Sequence, residues 1–286
     1  MVTRAYGETG IQLSVVGFGG IVVTNETPAD SSRYVAEAVD RGVNYFDVAP
    51  AYGDAEERLG PALEPYRRDI FLACKTNKRD AAQAEQDFRS SLKTLRTDYI
   101  DLYQIHGIQT EQEVDAVLAP GGALSFFEEL RRRGEIRHIG FSAHNEDAAL
   151  RLLAAFPFDS VLFPVNWVTW HAGNVGPRIV QAAATRGTAV LALKALALQR
   201  WKEGEERTWS KPWYRPVSSA AEAERGLRFT LSQPVVAAVS PGHMEHLRWA
   251  CDAADRFTPL SEDEHDQLRR EALEMEPIFS RTVTAI

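Results

Sequence analysis

Four residues between positions 47 and 106, Asp47, Tyr52, Lys75 and His106, each lie at the end of a short apolar run or just beyond it. A buried lysine and a nearby carboxylate satisfy each other's charge. An ammonium placed beside a phenol favours the phenolate, which on this reading pulls the tyrosine pKa down from its free value of about 10. Tyr52 thereby becomes a proton donor and acceptor. A neutral imidazole at His106 would hydrogen-bond and orient a carbonyl oxygen. Together the four describe protonation of a carbonyl oxygen as hydride arrives at its carbon, and this account calls for no metal.

Positioning such a set requires a scaffold that brings strand ends together. Eight apolar runs recur along the chain: VVGFGG (15–20), YFDVAP (45–50), FLACKT (71–76), LYQIHG (102–107), IRHIGFSA (136–143), VLFPVNW (161–167), AVLALKA (189–195) and VVAAVSP (235–241). Segments with helical spacing separate them. One, ADSSRYVAEAVDRG, has Asp30 or Ser31 as its N-cap and stops at Gly42. Strict alternation without a linker implies parallel strands with right-handed crossovers, and eight of them close into an α/β (β/α)8 TIM barrel, one domain spanning 1–286. A doubly wound open sheet is the alternative, but no G-x-G-x-x-G turn opens a helix. Two pieces stand outside the eightfold plan. MVTRAYGETGIQLS reads as a β-hairpin across the barrel bottom, and SEDEHDQLRREALEME as a further C-terminal helix capped by Ser261 and Glu264.

Composition narrows the partners. A net charge of −8 argues against nucleic acid. No stretch approaches the length of a membrane span, and no apolar signal region opens the chain. Cys74 and Cys251 are the only cysteines, and Cys74 lies inside an apolar run, so a reducing, cytoplasmic setting is expected. His106, His138, His144 and His171 could suggest a metal hydrolase, but paired ligand spacing is absent among them.

The phrase GVNYFDVAPAYGDAEERLG (42–60), followed by ACKT and LYQIHG, resembles the aldo-keto reductase family. The opening hairpin with GFGG, the phrase GEIRHIGFSAHN (134–145) and the late VVAAVSPG extend the likeness over nearly the whole chain. The resemblance implies an NAD(P)H-dependent oxidoreductase acting on a small-molecule aldehyde or ketone. Asp47, Tyr52, Lys75 and His106 would take the catalytic roles. Gly19, Gly20, Asp47, Ser142, Ser240, Pro241 and Gly242 would meet the cofactor, with NADP (NADPH over NADH) as the family's leaning.

Departures from the family pattern fall around the cofactor. Ala143 stands in place of an asparagine, and Leu162 and Val165 stand where a glutamine and a stacking tyrosine are usual, so Asn166 or Trp167 is expected to compensate. Lys194 occupies a usual serine position and would pair with the cofactor diphosphate. His243, His246 and Arg248 are offered to the 2′-phosphate, with Arg248 expected at the cofactor. In the long segment LQRWKEGEERTWSKPWYRP, Trp213 and Tyr214 are expected in the substrate pocket, and Trp201 and Trp209 as rings that pin the loop. These departures keep a second class of function open: a nicotinamide-binding sensor or regulatory subunit with little turnover.

Overall fold

The computed structural model describes residues 1–281. Its centre is a closed barrel of eight parallel strands: β1 (Val16–Gly19), β2 (Tyr45–Asp47), β3 (Phe71–Thr76), β4 (Ile100–Ile108), β5 (Ile136–Ala143), β6 (Ser160–Pro164), β7 (Ala189–Leu193) and β8 (Ala237–Val239). Strand β8 pairs with both β7 and β1, so no edge is left open. All eight expected runs form strands, most of them shorter than their apolar stretch. The barrel is the (β/α)8 architecture that the alternation implies.

Two apolar clusters follow from period-two alternation along the strands. Inward-facing Tyr45, Phe71, Ala73, Leu102, Leu162 and Leu191 fill the barrel interior with Tyr6 and Leu13 of the hairpin. Outward-facing residues such as Phe46, Leu72, Cys74, Tyr103 and Phe141 pack beneath the helices. The hairpin pairs Thr3–Ala5 with Gln12–Ser14 and drives Tyr6 into the barrel bottom, where its hydroxyl donates to Ser160 Oγ at 2.9 Å. One end of the barrel is therefore sealed, leaving the C-terminal strand ends as the accessible mouth.

The C-terminal helix Glu262–Ala272 is present, with the capping box of Ser261 and Glu264. The first long helix starts earlier than its spacing suggests. It runs Pro28–Asp40, and Thr27 rather than Asp30 or Ser31 is the cap, accepting from the Asp30 backbone N–H at 3.1 Å. Proline at the first helical position explains the shift, because its missing N–H costs nothing there. No helix among the described residues is long and apolar enough to cross a membrane.

The helix Ala55–Leu63 begins three residues after Tyr52 and sets the position of that loop. It lies close to the end of the helix Ala81–Thr94 at Gly60, where an added Cβ would run into the Thr94 carbonyl and come within 3.0 Å of Leu95 Cα. Backbone rather than a flexible side chain blocks the space, so the helices must part to admit a methyl group. Gly60→Ala is expected to lower stability by about 1–3 kcal/mol, the usual cost of overpacking, read as a lower midpoint in urea unfolding.

Candidate active site

The proton-handling residues converge through alternation. Asp47 is the last residue of β2, Lys75 lies on the neighbouring β3, and Gln104 and His106 lie two apart on β4. The ammonium of Lys75 is buried and donates to Asp47 Oδ1 and to the Val48 carbonyl, the latter at 3.2 Å. The other oxygen of Asp47 accepts from the Tyr45 hydroxyl and from Gln104 Nε2, both at 3.2 Å. Removing either charge of such a pair leaves its partner stranded, at a cost of about 3–5 kcal/mol. Sequence reasoning missed Tyr45 and Gln104, although each lies two residues before a site residue on its strand, which was the available signal.

Tyr52 lies in the loop after β2, its ring centroid 5.0 Å from Lys75 Nζ. The ring of His106 meets it edge-on at 5.6 Å. Tyr52 is half-buried as a residue, while the surroundings of its hydroxyl are those of the interior. Burial raises the phenol pKa, and Lys75 only partly opposes it. This corrects the expectation that lysine pulls the phenol below its free value: desolvation outweighs the cation. Burial works against the charge on Lys75 as well, but Asp47 and Tyr52 hold the ammonium above the usual lysine value.

His106 is neutral at physiological pH. Burial, with Lys75, Arg79 and Lys194 nearby, lowers its pKa to about 3. Its backbone is fixed from outside by Arg79, which donates to the His106 carbonyl at 2.9 Å and to Glu113 at 2.7 Å. Directly beyond it the β4–β5 register shifts and Gly107 takes φ +64, a conformation that favours glycine. The Gly107 N–H donates to Ser142 Oγ at 2.7 Å, coupling β4 to β5 at the mouth.

Asp47, Tyr52 and His106 line a cavity of about 240 Å³ together with Gly19, Ser142, His144, Leu162, Leu193, Lys194, Lys211, Trp213, Tyr214 and Ser240–Gly242. Gly19 is required by close approach, since a Cβ there would strike the Ser240 carbonyl; its N–H donates to Ser240 Oγ at 3.1 Å. Gly20 is not part of the lining and instead packs on Val48, 2.9 Å from where a Cβ would sit. Tyr214 is buried and Trp213 is 49 % exposed at the rim. Trp201 donates to the Pro212 carbonyl, and Trp209 packs on His243, His246 and Trp249, so both pin the loop as expected.

Asn166 and Arg248, expected at the cofactor, are placed differently. Asn166 lies outside the cavity lining; its Oδ1 caps the short helix Trp167–His171 by accepting from the Thr169 N–H at 2.8 Å. Arg248 is not at the mouth either, because both its Nε and an Nη donate to Glu37 at 2.7 Å. Lys194 does enter the cavity, whose lining it shares with Ser240–Gly242, and its Nζ lies 3.4 Å from His144 Nε2. Lys211, which the sequence did not signal, lines the cavity as well. It donates to the Val22 carbonyl and to Glu26, each at 2.7 Å, and straps the long loop over the segment after β1.

A nicotinamide dinucleotide fits what these residues offer. Glycine at position 19 permits backbone to come close, and beyond Ser240–Gly242 the helix Met244–Asp255 starts without a side-chain cap, so its first N–H groups suit a phosphate. With the His106 pKa held near 3, the ring should remain uncharged on acidification. The His106 ring proton shifts, followed by NMR, are expected to stay flat from pH 8 to pH 5, whereas an exposed histidine would titrate near 6.5.

Comparison with known proteins agrees with this geometry. The sequence pattern of the Aldo/keto reductase family matches residues 15–270. The chain is 27% identical over 287 residues to the uncharacterized oxidoreductase YqkF of Bacillus subtilis, covering 89% of this chain and 92% of that protein. It is also 27% identical over 240 residues to the L-galactose dehydrogenase of Arabidopsis thaliana, covering 77% and 74%. Among solved structures, the holo form of the aldo-keto reductase AKR11C1 from Bacillus halodurans superposes with a TM-score of 0.76 at 24% identity, covering 99% of both chains. With its family pattern spread over all eight strands of the barrel, this chain belongs to the aldo/keto reductase family.

Proposed function

We propose that the chain reduces an aldehyde or ketone with NAD(P)H, or runs the reverse oxidation, with Tyr52 as the general acid and base. The observation that carries this reading is the convergence of Tyr52, Asp47 and the neutral His106 on one cavity, with the buried Lys75 ammonium behind them against Asp47 and the Tyr52 ring. When bound, the reduced nicotinamide supplies the hydride. His106, uncharged, donates a ring N–H to the carbonyl oxygen and orients it without adding a cation opposite a hydride donor. Tyr52 then delivers its proton to that oxygen as negative charge develops there. Lys75 stabilises the resulting phenolate, and Asp47 keeps the lysine charged throughout.

On this reading Gly19 lies in the first loop around the cofactor with Gly20 packed behind it on Val48, Ser142 meets the carboxamide, and Ser240, Pro241 and Gly242 with the following helix N-terminus meet the phosphates. NADPH over NADH rests on the family's leaning. The replacement of polar contacts by Leu162 and Ala143 favours a second reading, a nicotinamide-binding sensor with little turnover, and kinetics separate the two.

Tyr52→Phe is expected to lower kcat by at least about a hundredfold with a reactive aldehyde such as 4-nitrobenzaldehyde. Cofactor affinity, read by fluorescence titration with NADPH and NADH, should change little. A variant as fast as wild type would sink the assignment. Cofactor binding with no carbonyl turned over by wild type would favour the sensor. The pH dependence has a definite sign. Because Tyr52 titrates above its free value of about 10, the acid form persists through neutral pH, so reduction should be level there and fall only in strong alkali. Oxidation needs the basic form and should rise with pH.

A further inference from the structure

Gln104 places a polar side chain where the barrel interior is otherwise apolar. It is fully buried on β4, between the inward positions of Leu102 and His106, and it lies outside the cavity lining. In register it sits beside Lys75 on β3 and Gly140 on β5. Gly140 brings no side chain to meet it, and a Cβ there would come within 2.8 Å of Ser160 Oγ and 3.0 Å of Leu102. The amide turns the other way. Its Nε2 donates at 3.2 Å to Asp47, which comes from an alternate strand and so shares a layer of the barrel interior. The Asp47 carboxylate, paired with Lys75, only accepts, so the amide nitrogen is fixed toward it and Oε1 is turned elsewhere. Among the described residues that oxygen finds no donor. A methionine or leucine would fill the same space without leaving a buried oxygen unpaired, so bulk alone does not explain the amide.

We infer that Gln104 is a positioning residue for the proton transfer: by holding one oxygen of Asp47 it leaves only the other for Lys75, and so keeps the ammonium shared with Tyr52. The inference rests on the proposed role of Tyr52 as acid and base and deepens it. Asp47 Oδ2 accepts from Gln104 Nε2 and from the Tyr45 hydroxyl, each at 3.2 Å, while Oδ1 takes Lys75. An ammonium has three N–H groups, of which Asp47 and the Val48 carbonyl occupy two. The third is left for the phenol, whose ring centroid lies 5.0 Å from Nζ. A carboxylate deprived of a donor at Oδ2 would draw Lys75 toward both its oxygens and present more unanswered negative charge to Tyr52. Both effects disfavour the phenolate. Burial raises the Tyr52 pKa, Lys75 opposes the rise, and Asp47 and Cys74 add to it. The other titratable groups within reach are Tyr45, Tyr214 and the uncharged His106. Of all these, Gln104 bonds to Asp47 alone.

The test is a double-mutant cycle between Gln104 and Asp47, with 4-nitrobenzaldehyde as the probe. Gln104→Met should lower kcat by about threefold to tenfold while KM and cofactor affinity change little. In an Asp47→Asn background the same substitution should cost nothing further, because the group it acts through is gone. Tyr45→Phe, which strips the other donor from the same oxygen, should lower kcat in the same sense. A second readout needs no turnover: the Tyr52 phenol is titrated by carbon-13 NMR of ring-labelled tyrosine, assigned with Tyr52→Phe. In Gln104→Met its alkaline titration should begin about half a pH unit or more later than in wild type. Gln104→Leu serves where the methionine variant does not fold, and unfolding of both overturns the inference by assigning the amide to stability. An unchanged kcat and titration also overturn it, as does a loss that is additive with Asp47→Asn. If wild type turns over no carbonyl, the reaction reading fails, while the phenol titration still decides whether Gln104 acts on Tyr52.

Discussion

The buried ion pair between Lys75 and Asp47 is the constraint on which the site depends. A lysine in a barrel interior is tolerated only when its charge is answered and its remaining donors are used, and the Asp47 carboxylate and Val48 carbonyl do both. The aspartate is itself held by Tyr45 and Gln104, so neighbouring strands β2, β3 and β4 are tied by polar contacts inside an otherwise apolar wall. Those contacts fix the ammonium against the ring of Tyr52. The same cation, with burial, keeps His106 uncharged. Burial sets the direction of the shift at both Tyr52 and His106, and the cation opposes it at the first and adds to it at the second.

Stability and chemistry are divided between the two ends of the barrel. At the bottom, Tyr6 and Leu13 of the hairpin complete an apolar interior, and the Tyr6 hydroxyl finds Ser160. At the top the inward positions turn polar, because strand ends meet a cavity rather than another layer of side chains. The transition occurs within single strands: on β4, Leu102 belongs to the apolar interior, Gln104 to the ion-pair network, and His106 to the cavity.

Much of this was legible in the sequence, for physical reasons. Alternation made the strands visible, and the order of Asp47, Lys75 and His106 on successive runs placed them on one arc. Asn166 was misplaced because the run VLFPVNW was read as one strand, although β6 stops at Pro164 and Asn166 opens a helix as its cap. Arg248 was assigned to the cofactor because its partner Glu37 lies 211 residues away in the chain. The direction of the Tyr52 shift depended on how deeply its hydroxyl is enclosed, which residue type cannot convey. Lys211 sits in a loop without periodicity, where only folding reveals that Val22 and Glu26 await it.

That loop has a further consequence. The proton-handling residues come from β2, β3 and β4, whereas the long segment after β7 supplies Lys211, Trp213 and Tyr214 from the opposite arc. Among its tethers are Lys211 to the segment after β1, the short antiparallel pairing of Ala197–Gln199 with Arg215–Pro216, the Trp209 contacts and the bond from Arg200 to the Ile278 carbonyl. None of these tethers touches the Lys75–Asp47 pair. The length and composition of the segment are therefore free to drift over evolutionary time without disturbing the reactive machinery, which makes it the natural place for related chains to diverge in what they accept.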